Sequence, residues 1–509
     1  MNFNRRLVVY SCLILALSSG YIIGQDRLVL YVSTDGKDSN PGTIERPLQT
    51  VQHAADIAKP GTTVNIRGGV YCQQLVVKVS GNAQEGFITF RSEPGERAVL
   101  DGACLKPPED DTAMVELDSV SFVRVQGLEL RNYRTSDPRS VPWGIRVHGS
   151  GSHIEILHNN VHHIEQNFKR QRGLHPGANG VGIGVYGTDA RTPITDLVID
   201  GNEVHHLKTG ASESLVVNGN VSAFRITKNV VHDNSNIGID VIGFEKKASD
   251  PAVDRARDGV VSENTVYDIP SKENLAGHQP SSDGIYVDGG TRILIERNIV
   301  HDVDYGIELA SEHREGNTSH ILARNNLVYF CHAAGISIGG YDAKRGTTED
   351  AVIVNNTLYG NDTFKTGTGE FLMQFYMRNN VFKNNIVYVG EHGRVMSSRS
   401  GRLDGVPTVI MDHNLYYFAA GPKAAKWNYD QKDYASFEEY VRGTGNDQHS
   451  LFADPLFVQP KSLNFHLRPD SPARGHGENL QTVLGDQDLD GHPRAKGETV
   501  DVGCYQSPI

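Results

Sequence analysis

A short phrase, asparagine followed by one residue and then valine or leucine, often with His or Tyr after it, returns throughout the chain: "NNVHH", "NEVHH", "NVVHD", "NTVYD", "NIVHD", "NLVYF", "NTLYG" and "NIVYV". Its asparagines are Asn159, Asn202, Asn229, Asn264, Asn298, Asn326, Asn356 and Asn385, with "NLYY" at Asn414 as the last copy. The intervals are 43, 27, 35, 34, 28, 30, 29 and 29 residues, a floor near one unit length with loop insertions in some copies. Each unit holds two short alternating segments, one running into the asparagine ("RILIERNIV") and one opening on Gly-Ile ("GIELAS"). No stretch of helical periodicity separates them, which excludes a helical solenoid. One strand pair cannot bury an apolar face, whereas stacked coils make continuous ladders of Ile, Val and Leu. The expected fold is therefore an all-β, right-handed parallel β-helix. A β-propeller would need antiparallel blades of about 40 residues or more. The repeated asparagine is expected to take the left-handed corner and to bond to the coils above and below.

The stack needs covers at both ends. "TVQHAADIAK" (50–59) reads as an N-terminal capping helix, and "DYASFEEYVRG" as a short helix ahead of a terminal segment at about 446–509. The β-helix with its N-terminal cap is expected over 25–445. Residues 1–24, with Arg5 and Arg6 before "LVVYSCLILALSSG", have the form of a secretory signal. With that segment removed, no stretch is long and apolar enough for a membrane span, and a secreted (periplasmic or extracellular) monomer is expected. The formal charge of −12 and pI near 5.9 argue against nucleic acid as a partner. Of the other cysteines, Cys72 and Cys104 form a bridge if they lie one coil apart, but free core thiols are the favoured expectation for all four, Cys331 and Cys504 included. The histidines that follow the asparagine phrase (162, 163, 205, 206, 232, 301) track the repeat, so stacking at corners is expected of them rather than metal binding. "DQDLDG" (486–491) has the start of a calcium loop but Gly497 where the acid should stand, and reads as a tight turn.

The stretch "LYVSTDGKDSNPGTIERPLQTVQHAADIAKPGTTVNIRGGVY", then "ITFRSEPGERAVLDG", resembles the opening of secreted right-handed β-helix proteins related to polysaccharide lyase family nine, the pectate lyase L type. "FADPLF", "FHLRPDSPA" and "LDGHPRAKGETVDVGCY" are similar to the terminal segment of many secreted bacterial β-helix proteins. The family resemblance implies Ca²⁺ bound by aspartates near one strand face and a lysine base acting on a polysaccharide. Asp240, Asp283 and Asp288 would be the metal ligands here, and Lys246 or Lys208 the base. Other β-helix families with similar openings, among them β-xylosidases and fucosidases, use paired carboxylates.

Aligning the Gly-Ile strands puts Arg146, Gly184, Val216, Asp240, Tyr286, Glu308 and Ser337 on one outward stripe. His148, Tyr186, Asn218, Ile242, Asp288, Ala310 and Gly339 form the next. Acids thus gather in three consecutive coils. Asp288 and Glu308 fall on a diagonal with backbones about 8 Å apart, which suits either retaining or inverting glycoside hydrolysis. Tyr286, Glu245, Glu312, His313, Arg314 and Tyr341 surround them as expected substrate contacts, and the insertions at 167–180, 246–257 and 271–282 as groove walls. The leading expectation, on the family resemblance, is a Ca²⁺-assisted β-eliminating lyase on a uronate-containing, pectate-like polymer; the alternatives are a hydrolase with Glu308 as acid and Asp288 or Asp240 as nucleophile or base, and a secreted glycan-binding protein without turnover.

Overall fold

The computed structural model describes residues 28–169, 178–271, 280–399, 409–494 and 500–507. The expected signal segment lies outside the described residues, as do parts of two of the three expected groove walls. The chain winds as a parallel β-helix whose coils contribute to three sheets, of fifteen, fifteen and thirteen strands. Each coil has three strands, not the two expected. In the coil around Asn298, Thr291–Glu296 lies in sheet I, Ile299–Val303 in sheet II and Tyr305–Ala310 in sheet III. The sequence pattern merges the short sheet II strand with the asparagine phrase because both run straight through the corner.

The asparagines form one continuous ladder. In each step the Oδ1 of one asparagine accepts both the backbone N–H and the side-chain Nδ2 of the asparagine one coil earlier. For Asn264 and Asn298 both bonds are 3.0 Å. Each Nδ2 also donates to a backbone carbonyl, Asn298 to Val261 at 2.9 Å. The left-handed backbone falls one residue earlier than expected, on His158, Lys228, Glu263, Arg297, Asn325, Asn355, Asn384 and His413. The ladder asparagine itself is therefore selected for its amide and not for its backbone conformation. At the far end Asn414 Nδ2 donates to buried Asp447, which also receives the hydroxyls of Tyr416, Tyr440 and Ser450. Tyr440 comes from the expected second helix, Phe437–Thr444, while Val51–Ile57 caps the N-terminal end with Val51, Ala54 and Ala55 buried.

Outside sheet II, His162, His205, His232, Tyr267, His301 and Tyr329 stack at ring separations of 4.6–5.0 Å, the spacing of the strands that carry them. The histidines are thus stacking residues, as expected. Cys72 and Cys104 do lie one coil apart and are joined as a disulfide, with Cα atoms 6.1 Å apart, against the expectation of free thiols; Cys331 and Cys504 are buried and free.

The terminal segment runs along the side of sheet II. Asn325, Asn355 and Asn384 donate to carbonyls of Leu484, Asp501 and Glu478, and Phe457 and Phe465 pack with Tyr329, Tyr359 and Tyr388. "DQDLDG" is a turn there: Asp488 accepts the N–H groups of His492 and Gln506, and Gly491 has φ +82°.

The glycine of the Gly-Ile strands has a steric cause. A Cβ on Gly284 would lie 2.3 Å from the Cγ1 of Val300, and on Gly306 the same distance from that of Val328. Glycine and the following isoleucine both face inward where sheet II turns into sheet III, so the alternation skips a beat. Gly284→Ala is expected to destabilise the fold by about 1–3 kcal/mol, read from urea midpoints, because Val300 is held in a packed core.

Candidate active site

The outward register of sheet III matches the expected stripes: Val216 pairs with Asp240, Asp240 with Tyr286, Tyr286 with Glu308, and Glu308 with Ser337. The skipped beat at glycine adds a third stripe, Glu213, Ile237, Asp283 and Tyr305, which two-residue alternation started at glycine does not show. Together the stripes floor a cavity of about 830 Å³. Glu213, Asp240, Glu245, Asp283, Asp288, Glu308 and Glu312 line it, with Tyr286, Tyr305, Tyr341, Gln374 and Arg399. On the side toward the N-terminus the outer face of the sheet is closed by an apolar group of Trp143, Val216 and Ile242 with Tyr186 against it.

These carboxylates are held in two groups. Asp283 and Glu308 are within hydrogen-bonding reach of each other; burial, then the neighbouring Glu308, pushes Asp283 well up, and burial pushes Glu308 up. Glu308 also accepts from Gln374 Nε2 at 2.6 Å, and the Oε1 of Gln374 receives Arg399 at 3.4 Å. In the second group burial, then repulsion from Glu213 and Asp288, raises Asp240 well above the carboxylate range. Asp288 is raised by burial and Glu312 even though its Oδ1 accepts the Glu312 N–H at 2.6 Å. Burial and Glu245 push Glu213 up to about 7. Among the described lining residues Arg399 is the cation, set against seven carboxyl groups.

This has a measurable result. Between the ordinary value of 4.5 and about 7, folded Glu213 holds a proton that the unfolded chain has released. Unfolding free energy therefore falls as pH rises through that window and flattens above it. The urea midpoint is expected to be lower at pH 8 than at pH 5, with a smaller difference in Glu213→Gln.

Of the other expected residues, Tyr286, Glu245, Glu312 and Tyr341 line the cavity. His313 lies beside it, its Nε2 buried without a hydrogen-bond partner, and Arg314 is exposed. Neither expected base is brought in. Lys246 is exposed on the following loop, and Lys208 lines a separate cavity with His163 and His206, where its Nζ donates to Asn167 at 3.0 Å. The described part of the insertion at 271–282 does wall the site through Pro280 and Ser281. Glu213, Tyr305, Gln374 and Arg399 were not foreseen. "SES" before "LVVNG" and "DY" before "GIELAS" were the available signals for the first two.

For Ca²⁺, the donor chemistry of Asp240, Asp283 and Asp288 fits: all are hard oxygen ligands, and Asp240 Oδ1 and Asp283 Oδ1 are buried without a hydrogen-bond partner. The compact donor set among the described residues is elsewhere, however, at Asp412, His413 and His449.

Comparison with known proteins places the fold in a family. Residues 30–190 match the family described as "Pel9A-like, right handed beta helix region", and residues 143–343 match "Right handed beta helix region". The site lies outside the first of these stretches. The uncharacterized protein YwoF of Bacillus subtilis is 40% identical over 446 residues, covering 87% of this chain and 92% of YwoF. Pectate lyase PEL9 of Emericella nidulans is 32% identical over 132 residues, 25% of this chain and 32% of the lyase. Among solved structures, the GH136 lacto-N-biosidase of Eubacterium ramulus aligns with a TM-score of 0.50 at 14% identity, over 80% of this chain and 66% of the biosidase. The chain therefore belongs with YwoF to a family of right-handed parallel β-helix proteins related to the Pel9A-like pectate lyases.

Proposed function

We propose that the protein is a secreted carbohydrate-active enzyme that cleaves a polysaccharide in the acid-lined cavity of sheet III, and that it does so by hydrolysing the glycosidic bond with carboxylates. The observation that carries this reading is the Asp283–Glu308 pair, two buried carboxyls within hydrogen-bonding reach of each other, where burial favours holding a proton, opposite further carboxylates. In the reaction the pair gives that proton to the leaving glycosidic oxygen, while Gln374 fixes the orientation of Glu308. Asp240 stands two coils from Glu308 on the same stripe, with backbones about 9.6 Å apart, and Asp288 lies on the diagonal. Either is placed to activate a water or attack the sugar. Tyr286, Tyr305 and Tyr341 offer ring faces and hydroxyls to sugar units. The Cys72–Cys104 disulfide supports export to an oxidising compartment.

A second reading, Ca²⁺-assisted β-elimination on a uronate-containing polymer, is favoured by the two unpartnered carboxylate oxygens of Asp240 and Asp283 and agrees with the stretch similar to pectate lyase PEL9. Bound Ca²⁺ would supply the positive charge that receives a uronate carboxylate. Asp240, Asp283 and Asp288 would hold it, and Arg399 would add a second cation at the wall.

Incubation with pectate, alginate and neutral glycans, following reducing ends and unsaturated-product absorbance with and without chelator, tests both. Reducing ends without unsaturation, insensitive to chelator, are the expected result. Chelator-sensitive unsaturated product would replace hydrolysis with elimination, and silence on every glycan would leave a binding protein.

A further inference from the structure

The C-terminal end of the stack carries a group of side chains that neither cleavage reaction uses. Asp412 ends the sheet I strand Val409–Asp412, and His413 follows it in the left-handed corner before Asn414. His449 comes from the connector after helix Phe437–Thr444. Asp412 Oδ1 accepts the backbone N–H of His449 at 2.8 Å, which leaves Oδ2 facing two imidazole nitrogens. His449 Nδ1 is 2.8 Å from that oxygen and His413 Nδ1 3.4 Å. The three donor atoms lie within 4.8 Å of one another, the one such group of His, Cys, Asp and Glu among the described residues.

A hydrogen-bonded Asp–His pair accounts for Asp412 and His449 but not for His413. Its Nδ1 is buried and makes no hydrogen bond, although Asp412 Oδ2 and Glu478 Oε2 stand 3.4 and 3.6 Å away. A tetrahedral Zn²⁺ ion with bonds of about 2.0–2.1 Å sets its ligands about 3.3 Å apart. The 2.8 and 3.4 Å separations from Asp412 Oδ2 are close to that spacing, the two nitrogens lie within 4.8 Å of each other, and an ion at the centre gives the orphaned nitrogen a partner. The surroundings are ordered as an outer shell: His476 Nε2 donates to the carbonyl of His449 at 2.7 Å, and Glu478 is held by Lys383 Nζ at 2.6 Å. Two imidazoles and one carboxylate suit a borderline metal and not Ca²⁺ or Mg²⁺, which take all-oxygen sites.

We propose that Asp412, His413 and His449 bind a divalent transition-metal ion of the Zn²⁺ class, with water in the remaining position. The ion ties the last sheet I strand to the connector that leads into the terminal segment, so it secures the C-terminal end of the stack independently of the sugar-cleaving site.

The test uses the full-length mature protein without an affinity tag, stripped with EDTA and titrated with Co²⁺. One Co²⁺ per chain is expected, with a visible d–d band that Zn²⁺ displaces and Ca²⁺ does not. His449→Ala, at an exposed side chain, is expected to fold normally by circular dichroism, lose the band and bind Zn²⁺ more than about tenfold more weakly. His413→Ala should do the same, while His205→Ala in the stacked row should change nothing. Zn²⁺ should raise the thermal midpoint of wild type and leave that of His449→Ala unmoved. No saturable band in wild type, or a band that survives His449→Ala unchanged, overturns the proposal. Neither outcome bears on glycan cleavage.

Discussion

Glu308→Gln is expected to lower kcat/KM for the glycan substrate by about 10²–10⁴-fold, the range for loss of a positioned proton donor. The amide keeps the shape and can still meet Gln374, but it cannot pass on a proton. Asp283→Asn should fall in the same range, and the double variant should be scarcely worse than either single one if the two adjacent carboxyls act as one proton-donating unit. The same substitutions should raise the thermal midpoint at pH 8. Each removes a buried carboxyl from a cavity whose described lining sets seven carboxyl groups against Arg399, a crowding of acids that works against the fold. Full activity in both single variants would remove the pair from the mechanism and with it the hydrolytic reading.

Asn298→Ala is expected to cost about 3–5 kcal/mol, measured by urea unfolding. Alanine leaves the backbone N–H and Nδ2 of Asn264 without their acceptor and removes the Nδ2 donor to the Val261 carbonyl, while Asn326 Oδ1 keeps only the backbone N–H of residue 298, all in a buried corner. A buried polar group stripped of its partner costs about 1–3 kcal/mol, and here several are stripped together. The comparison is Asn160→Ala, one residue beyond the ladder, where the amide meets exposed Glu203 at 2.8 Å. That loss should stay below about 1 kcal/mol. Equal effects at the two positions would mean the ladder adds nothing beyond ordinary surface contacts.

Much of this arrangement was legible because the repeat writes the same contact many times. The period of the asparagine phrase yields the stack, and the Gly-Ile alignment yields the coil-to-coil partners of Asp240, Tyr286 and Glu308. What the pattern hid has one main physical cause. Strict alternation fails where Gly284 and Ile285 both turn inward at a corner, so Asp283 faces out beside Glu308, and Glu213 and Tyr305 join the same stripe. Asp283 was noticed only as a possible metal ligand, while its partnership with Glu308 depends on that skipped step. Arg399 and Gln374 reach the cavity from coils two or more strands further on, and their short strands share no phrase with the acidic coils. The lysines failed for the opposite reason: nearness in sequence to an acidic strand does not carry a side chain around a coil corner. The disulfide between Cys72 and Cys104 depended on coil stacking in the N-terminal stretch, which lacks the asparagine phrase that sets the register elsewhere.

The asparagine ladder runs one way: every amide oxygen receives from the coil before it, until Asp447 takes the last amide hydrogen. A coil therefore presents the same acceptor backward and the same donor forward as its neighbours. Duplicating or deleting one whole coil, cut at its corner, returns an unbroken series, while a cut made anywhere else interrupts it. Such a protein can change length by whole coils in the course of descent, and the acid-lined groove on sheet III can widen or narrow by one strand without the ends being rebuilt.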